Sequence, residues 1–361
     1  MPDNHVFYFN VAQDSYLSAQ MEKVSRSFAV VVSNVEQPLR SYLSIAYLLC
    51  RVADNIEDCT NSLNWKKKRF SEFIDLLDNP SNATGVLEYW EAESWPGLTL
   101  DEANLMGFSA GRDLWDIYAS IQRAEQEIIK RWITVMAERM SHIGEVGHHP
   151  LFIEQQGIHM LASKNDYDDY CYIVAGTVGH MATELVIDYY NLNKETSHEV
   201  LRTCEACGRA LQKTNILKDF VKDLARGISY LPDEWLSDAD YSPARLEGAQ
   251  LDWKQMLFED ILNELNTATE YVLALPKNVI GYRMATLLCL LPALQTNLLA
   301  AKQKDKLFTP NHQYKISRLT LSKCMLDARN MVQKDGQIRA YSQRVQTEVG
   351  KILSNQRWVY Q

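Results

Sequence analysis

The chain has 361 residues, 46% of them hydrophobic, and a formal net charge of −9. That much apolar material supports a sizeable core and excludes global disorder, while the acidic balance argues against nucleic acid as a partner. The seven cysteines are scattered, and the close pair Cys204 and Cys207 has no second pair or histidines at zinc spacing, so it reads as ordinary helix positions in a reducing compartment.

Residues 1–10 carry Asp3 and His5 and lack an apolar h-region, so no signal peptide is expected. Gly and Pro are sparse, at 15 and 10, and no strand-like alternation or internal repeat stands out. Nearly the whole chain reads as helix. A first long helix is predicted over 38–58 and another over 65–77, ended by Asn79-Pro80. Residues 81–100 hold Gly85, Pro96 and Gly97 and read as a loop or broken segment. A long amphipathic helix is predicted over 113–140. A connector over 144–157 contains His148 and His149, which lack the spacing of a helical metal site and read as a solvated turn. An apolar helix with small residues follows over 166–190, then one over 200–224, closed by 227–232. Helices over 253–275 and 278–299 come next. The apolar stretch 284–301 is interrupted by Pro292, Gln295 and Asn297 and reads as a core helix, so no transmembrane segment is expected. A polar loop over 302–313 precedes a last helix over 317–332, and 345–361 is amphipathic without a tail anchor. No flexible linker divides these elements. The expectation is one all-α domain over 1–361, a helical bundle around a central cavity, with 1–20 and 335–361 peripheral.

Two acid-rich stretches stand apart. Asp54, Glu57 and Asp58 share one helix face, because residues three and four apart are neighbours. Arg51 lies one turn earlier, and the preceding turns are apolar (Ile45, Leu48, Leu49). By itself this row also fits a solvated helix face; if buried, it must pair or bind metal. The second row, Asn215, Asp219 and Asp223, recurs every four residues. Ile216, Leu217, Phe220, Val221 and Leu224 supply its apolar faces, and Lys213, Lys218 and Lys222 are interleaved. By itself it also fits a salt-bridged surface helix. Two facing carboxylate rows suit Mg2+, which takes hard oxygen ligands and binds through a few carboxylates plus substrate phosphates. They point to an enzyme that ionises a diphosphate ester.

Four motifs then occur in order: Ser25-Arg26-Ser27-Phe28; Arg51-x-x-Asp54-x-x-Glu57-Asp58; Tyr170-Cys171-Tyr172-Ile173-Val174-Ala175-Gly176-Thr177-Val178-Gly179; and Leu211-Gln212-Lys213-Thr214-Asn215-Ile216. Together they resemble the squalene/phytoene synthase family over about 25–331. Glu57 and the Gln-Lys-Thr-Asn-Ile run resemble the squalene-forming branch more than the phytoene-forming one. Tyr314-Lys315-Ile316-Ser317-Arg318, followed by 325–331, is similar to the region that branch assigns to its nicotinamide cofactor.

The resemblance implies an isoprenoid-synthase fold and the head-to-head joining of two farnesyl diphosphate molecules to presqualene diphosphate, then an NADPH-dependent rearrangement to squalene. It implies that Asp54, Glu57, Asp58, Asn215, Asp219 and Asp223 hold Mg2+, with Asp54, Asp58, Asp219 and Asp223 counted among the catalytic groups. Ser25, Arg26, Ser27, Tyr47, Arg51 and Lys218 would contact diphosphate oxygens. Tyr170 would be the catalytic tyrosine. Phe28, Val174, Ala175, Gly176, Gly179, Gly208, Leu211 and Gln212 would line the hydrocarbon site, and Lys315 and Arg318 would meet the NADPH phosphates. Read as residues alone, Ser25 and Ser27 also fit helix caps, the small residues also fit close helix packing, and Tyr170 also fits a buried phenol with a satisfied hydroxyl. A cytoplasmic monomer is expected, with peripheral membrane contact left open by the apolar product.

Some positions depart from the family pattern. Asn55 stands where a threonine or similar is usual. Lys218 replaces an arginine, keeping charge but losing its bidentate geometry. The arginine usually found five residues after the last aspartate is replaced by Ile228, and Arg226 is the nearest substitute. Arg318 lies three residues from Lys315 where two is usual. The alternatives are a dehydrosqualene-, phytoene- or presqualene-diphosphate-type synthase without the NADPH step, a binding protein of the same fold without turnover, or a structural metal-binding scaffold.

Overall fold

The structure, a computed structural model, describes residues 9–143, 151–155, 157–310, 312 and 314–354. The predicted turn at His148 and His149 lies outside these residues. The described chain is all-α apart from three short strands. In chain order the helices are α1 Val11–Val24, α2 Arg26–Val32, α3 Leu39–Asp58, α4 Leu63–Asp78, α5 Ala83–Glu91, α6 Leu100–Met106, α7 Phe108–Ser120, α8 Arg123–Ser141, α9 Lys164–Cys171, α10 Thr177–Tyr190, α11 Lys194–Leu201, α12 Cys204–Ala225, α13 Asp233–Ser237, α14 Leu251–Ala274, α15 Ile280–Lys302, α16 Arg318–Met331 and α17 Asp335–Leu353. The strands are β1 Phe152–Gln155, β2 Ile158–Leu161 and β3 Ile228–Ser229.

The chain forms two units, Met1–Glu145 with His180–Asn193 and Val146–Gly179 with Lys194–Gln361; the boundary falls inside α10. In the first unit, α3 is the central element. Leu39, Tyr42, Ile45, Leu49, Val52, Ala53 and Ile56 are buried, and α3 packs against α1, α4, α6, α7 and α8. The segment 81–100, expected as a loop or a broken segment, contains one short helix, α5, because Leu87 and Trp90 recur on one face and are buried. Trp90 Nε1 donates to Glu72 Oε2 at 2.8 Å. The buried Arg69 guanidinium contacts Glu72 and Glu93 and lies over the Trp65 and Tyr89 rings. The single helix predicted over 113–140 is two, α7 and α8. Ile121 and Gln122 between them are extended, with Ile121 buried and the Ser120 hydroxyl donating back to the Ile117 carbonyl.

In the second unit, α12 packs against α14 and α15, and α17 packs against α14 and α15 in turn. The sequence set 335–361 at the periphery, yet Ile338, Tyr341, Val345, Val349 and Leu353 of α17 are buried. At the other end of the chain, α1 likewise buries Leu17 and Met21. The three strands escape an alternation test because none exceeds four residues. β1 and β2 are antiparallel, β3 joins β2 in parallel, and Gly157 takes the left-handed conformation (φ +78°) between β1 and β2. Gly227, at φ +78°, ends α12 as a left-handed cap, its N–H donating to the Leu224 carbonyl. Helix α15 is long and apolar enough to cross a membrane by composition, but most of its apolar window is buried in the core.

Candidate functional site

On α3 the burial pattern isolates one stripe. Between Ser41 and Cys59, the only positions not fully buried are Leu43, Tyr47, Arg51, Asp54, Glu57 and Asp58. Their spacing of three and four puts them on one face, so a helix otherwise wrapped in core opens on its polar side. Arg51 donates to the Tyr47 hydroxyl at 3.2 Å and pairs with Asp54 at 3.7 Å. Its buried Nε has no hydrogen-bond partner among the described residues. Phe28 of α2 packs on the Tyr47 ring at 4.9 Å. Ser25 occupies the cap position of α2 without a side-chain cap bond, and Arg26 and Ser27 are exposed. The Ser25 hydroxyl therefore does not serve as a helix cap.

Burial is the largest influence on Asp54; Arg51 opposes it, Asp58 and Glu102 add to it, and the carboxyl is pushed up to about 6. Glu102, in α6, was missed by the sequence reading of the site. Its spacing from Thr99 is that of a capping box, which the structure contains. Asn55 does structural work: its amide donates to the Glu102 carbonyl at 3.1 Å and tethers α3 to α6. Among the described residues, no group of three or more His, Cys, Asp or Glu is arranged to hold a metal ion unaided. The donors nevertheless suit Mg2+ completed by phosphate oxygens: they are hard carboxylates, and a divalent cation would offset the burial and neighbouring acids that raise the Asp54 carboxyl.

In the second unit, Gly208, Gln212, Asn215, Asp219 and Asp223 form the less buried stripe of α12, opposite Ala206, Ala210, Lys213, Leu217 and Phe220. Lys218 joins this row, donating to Asn215 Oδ1 at 3.0 Å and pairing with Asp219 at 3.1 Å. A cation thus already bridges two of the proposed ligands. Arg226 is exposed at the end of α12, whereas Ile228 lies in β3, opposite His159 of β2. Val174, Ala175 and Leu211 are partly exposed.

Tyr170 is 4% exposed, stacked on Tyr230 at 4.7 Å and edge-on to Phe152 at 6.0 Å. It is the penultimate residue of α9, just before a π-helical turn, Tyr172–Gly176, a local irregularity often found at functional sites. The glycines nearby have a packing reason. A Cβ on Gly208 would fall 2.0 Å from the Ala175 carbonyl oxygen, one on Gly179 2.4 Å from that of Cys204, and one on Gly176 2.8 Å from the Tyr172 ring.

Around Lys213, over the Tyr167 ring, lies a charge cluster; the sequence reading had Lys213 interleaved with the second acidic row, for which a salt-bridged surface helix was one alternative. Lys213 is 1% exposed and pairs with Asp168 at 2.7 Å, Asp260 at 2.9 Å and Glu264 at 3.1 Å. Lys164 pairs with Asp168 and Asp260, and Arg209 with Glu264. The cluster ties α9 to α12 and α14. Burial alone would raise the Asp168 carboxyl, but Lys164 and Lys213 outweigh it and hold it below the usual range. Its partners are remote in sequence, so no local pattern could have found it.

Lys315 is exposed, and Arg318 is the first residue of α16, capped by the Ser317 hydroxyl, which accepts from the Thr320 N–H at 3.0 Å. Two exposed cations beside helix N-terminal amides suit a phosphate group. Neighbouring Tyr314 is buried, and its hydroxyl has no partner among the described residues.

The family model described as squalene/phytoene synthase matches residues 21–320. The chain belongs to the squalene/phytoene synthase family. It is 30% identical to the squalene synthase of Saccharomyces cerevisiae over 241 residues, covering 67% of this chain and 50% of that protein. It is 29% identical to the squalene synthase of Eremothecium gossypii over 222 residues, covering 61% and 46%. The chain thus spans about half the length of the curated relatives it matches. In fold it is similar to a ligand complex of TcSQS, with a TM-score of 0.74 at 20% identity over 95% of this chain and 99% of that one. A dehydrosqualene synthase in complex with ligand is similar at TM-score 0.59 and 17% identity, covering 89% and 96%. The all-α fold expected from the motifs is thus shared with these solved structures.

Proposed function

We propose that this chain is an enzyme acting as a squalene synthase, joining two farnesyl diphosphate molecules head to head. The observation that carries this reading is the open stripe on α3, where Tyr47, Arg51, Asp54 and Asp58 line the only incompletely buried face of a core helix and Arg51 Nε is unpartnered. A buried N–H without an acceptor is costly, so this face is suited to an anionic ligand and its counter-ion.

In this reading, Arg51, Tyr47, Ser25, Arg26 and Ser27, and in the second unit Lys218 and Arg226, bind diphosphate oxygens. Asp54, Glu57 and Asp58 form one Mg2+-holding row, and Asn215, Asp219 and Asp223 form another. When bound, Mg2+ supplies the positive charge that offsets what builds on the diphosphate as an allylic C–O bond breaks. The allylic cation formed at C1 of one substrate is attacked by the 2,3 double bond of the second. Loss of a proton then closes the cyclopropane of presqualene diphosphate. Tyr170, held by its stack on Tyr230, takes or relays that proton, or orients the released diphosphate that does so. Phe28, Val174, Ala175, Gly176, Gly179, Gly208, Leu211 and Gln212 exclude water from the cations. Lys315 and Arg318 would hold the phosphates of NADPH, which when bound would supply the hydride for the reductive step. The enzyme is read as a cytoplasmic monomer.

The test is incubation of the purified chain with farnesyl diphosphate and Mg2+, with and without NADPH, and product analysis by gas chromatography–mass spectrometry. Squalene that forms only with NADPH is the expected result. The same hydrocarbon or presqualene diphosphate under both conditions would assign the chain to the branch that lacks the reductive step, and absence of any condensation product would overturn the enzymatic reading.

A further inference from the structure

Of the ten large apolar side chains left exposed among the described residues, four lie on α16: Leu319, Leu321, Met325 and Leu326. The helix has 14 residues, and its buried side is Cys324, Ala328 and Met331. At 100° per residue, Leu319 and Leu326 fall on one line two turns apart, pointing away from that buried side. They are 81% and 58% exposed. Lys323 flanks this line on one side and Arg329 on the other, and both are exposed. The helix carries Arg318, Lys323 and Arg329 against the single acid Asp327, in a chain whose net charge is −9.

We propose that the outer face of α16 docks on an anionic lipid bilayer, with Leu319 and Leu326 entering the headgroup boundary and Lys323 and Arg329 meeting lipid phosphates. Apolar anchors bordered by basic side chains are what an interfacial helix requires, and basic groups gain at an anionic surface. The local charge also selects among occupants. A second copy of the chain meeting this face through a two-fold axis would bring the same patch together on both sides, setting Lys323 and Arg329 against their own kind. A bilayer with acidic headgroups meets both the apolar line and its basic border. The proposal stands on exposure and charge and does not depend on the reaction the chain catalyses.

The test is co-sedimentation of the full chain with vesicles of phosphatidylcholine alone and of phosphatidylcholine mixed with phosphatidylglycerol. The wild type should pellet with the anionic vesicles, and less so as salt rises. Leu319→Ser combined with Leu326→Ser should abolish pelleting. Lys323→Glu combined with Arg329→Glu should lower partitioning roughly tenfold or more. Because all four side chains are exposed, thermal unfolding should match wild type in both variants. A wild type that stays in the supernatant with both vesicles overturns the proposal, as does equal partitioning of wild type and variants. Concentration-dependent self-association that the leucine variant removes, seen by sedimentation velocity without vesicle binding, also overturns it and assigns the face to a second copy.

Discussion

Asp54 lies under opposing influences. Burial raises its carboxyl, Arg51 draws it down, and Asp58 and Glu102 push it up again, to about 6. The unfolded value is near 3.9, so between about pH 4 and 6 the folded chain holds the extra proton. Stability from this group is therefore greatest at low pH and declines as pH rises through that window. Asp54→Asn should flatten that part of a urea-unfolding profile; an unchanged slope would assign the slope to other groups. The ionised form is the metal ligand, so Mg2+-dependent diphosphate binding measured by calorimetry should weaken as pH falls below about 6. Asp54→Asn, and separately Asp219→Asn, should lower turnover by roughly a hundredfold or more with far-UV circular dichroism unchanged. Near-normal activity in either variant would refute that residue's metal role. The acids themselves were legible from spacing alone. The influence of Glu102 was not, because it reaches Asp54 from another helix.

Among the elements, the contact of α12 with α9 and the π-helical turn is the most sensitive. Lys213 pairs with three carboxylates from two helices, so Lys213→Ala leaves them to Lys164 and Arg209 alone and should cost roughly 3–5 kcal/mol in chemical denaturation. A loss below about 1 kcal/mol would mean that water or Lys164 already carries the compensation. Gly208→Ala forces a methyl into the Ala175 carbonyl, which should cost about 1–3 kcal/mol and displace the turn after Tyr170, lowering turnover as well. Full activity in that variant would show that the backbone gives way cheaply. Helices α3, α12 and α14 were legible because each repeats its apolar positions at helical spacing over twenty or more residues, and α15 because its apolar run is too long for a strand. Helix α5 was not, since nine residues containing Gly85 carry little periodic signal. The break at Ile121 was also hidden: an apolar residue there continues the pattern of α7 although its backbone is extended.

For the whole molecule, the reductive step gives the sharpest expectation. Lys315→Ala combined with Arg318→Ala should leave condensation intact and let presqualene diphosphate accumulate in the presence of NADPH, read by mass spectrometry. An unchanged squalene yield would reject the cofactor role of this segment. Chelation of Mg2+ should stop condensation itself, before any such intermediate forms.

The linear order of residues was enough to establish the helical class, the two acidic rows and the family, because helix periodicity and carboxylate spacing are local properties that survive without neighbours. Tertiary packing decided which of those charged groups are special. It buried Lys213 among remote acids, left one face of α3 open beneath Arg51, and brought α17 into a core. Each depends on desolvation, which is set by what lies across from a side chain and not by what precedes it.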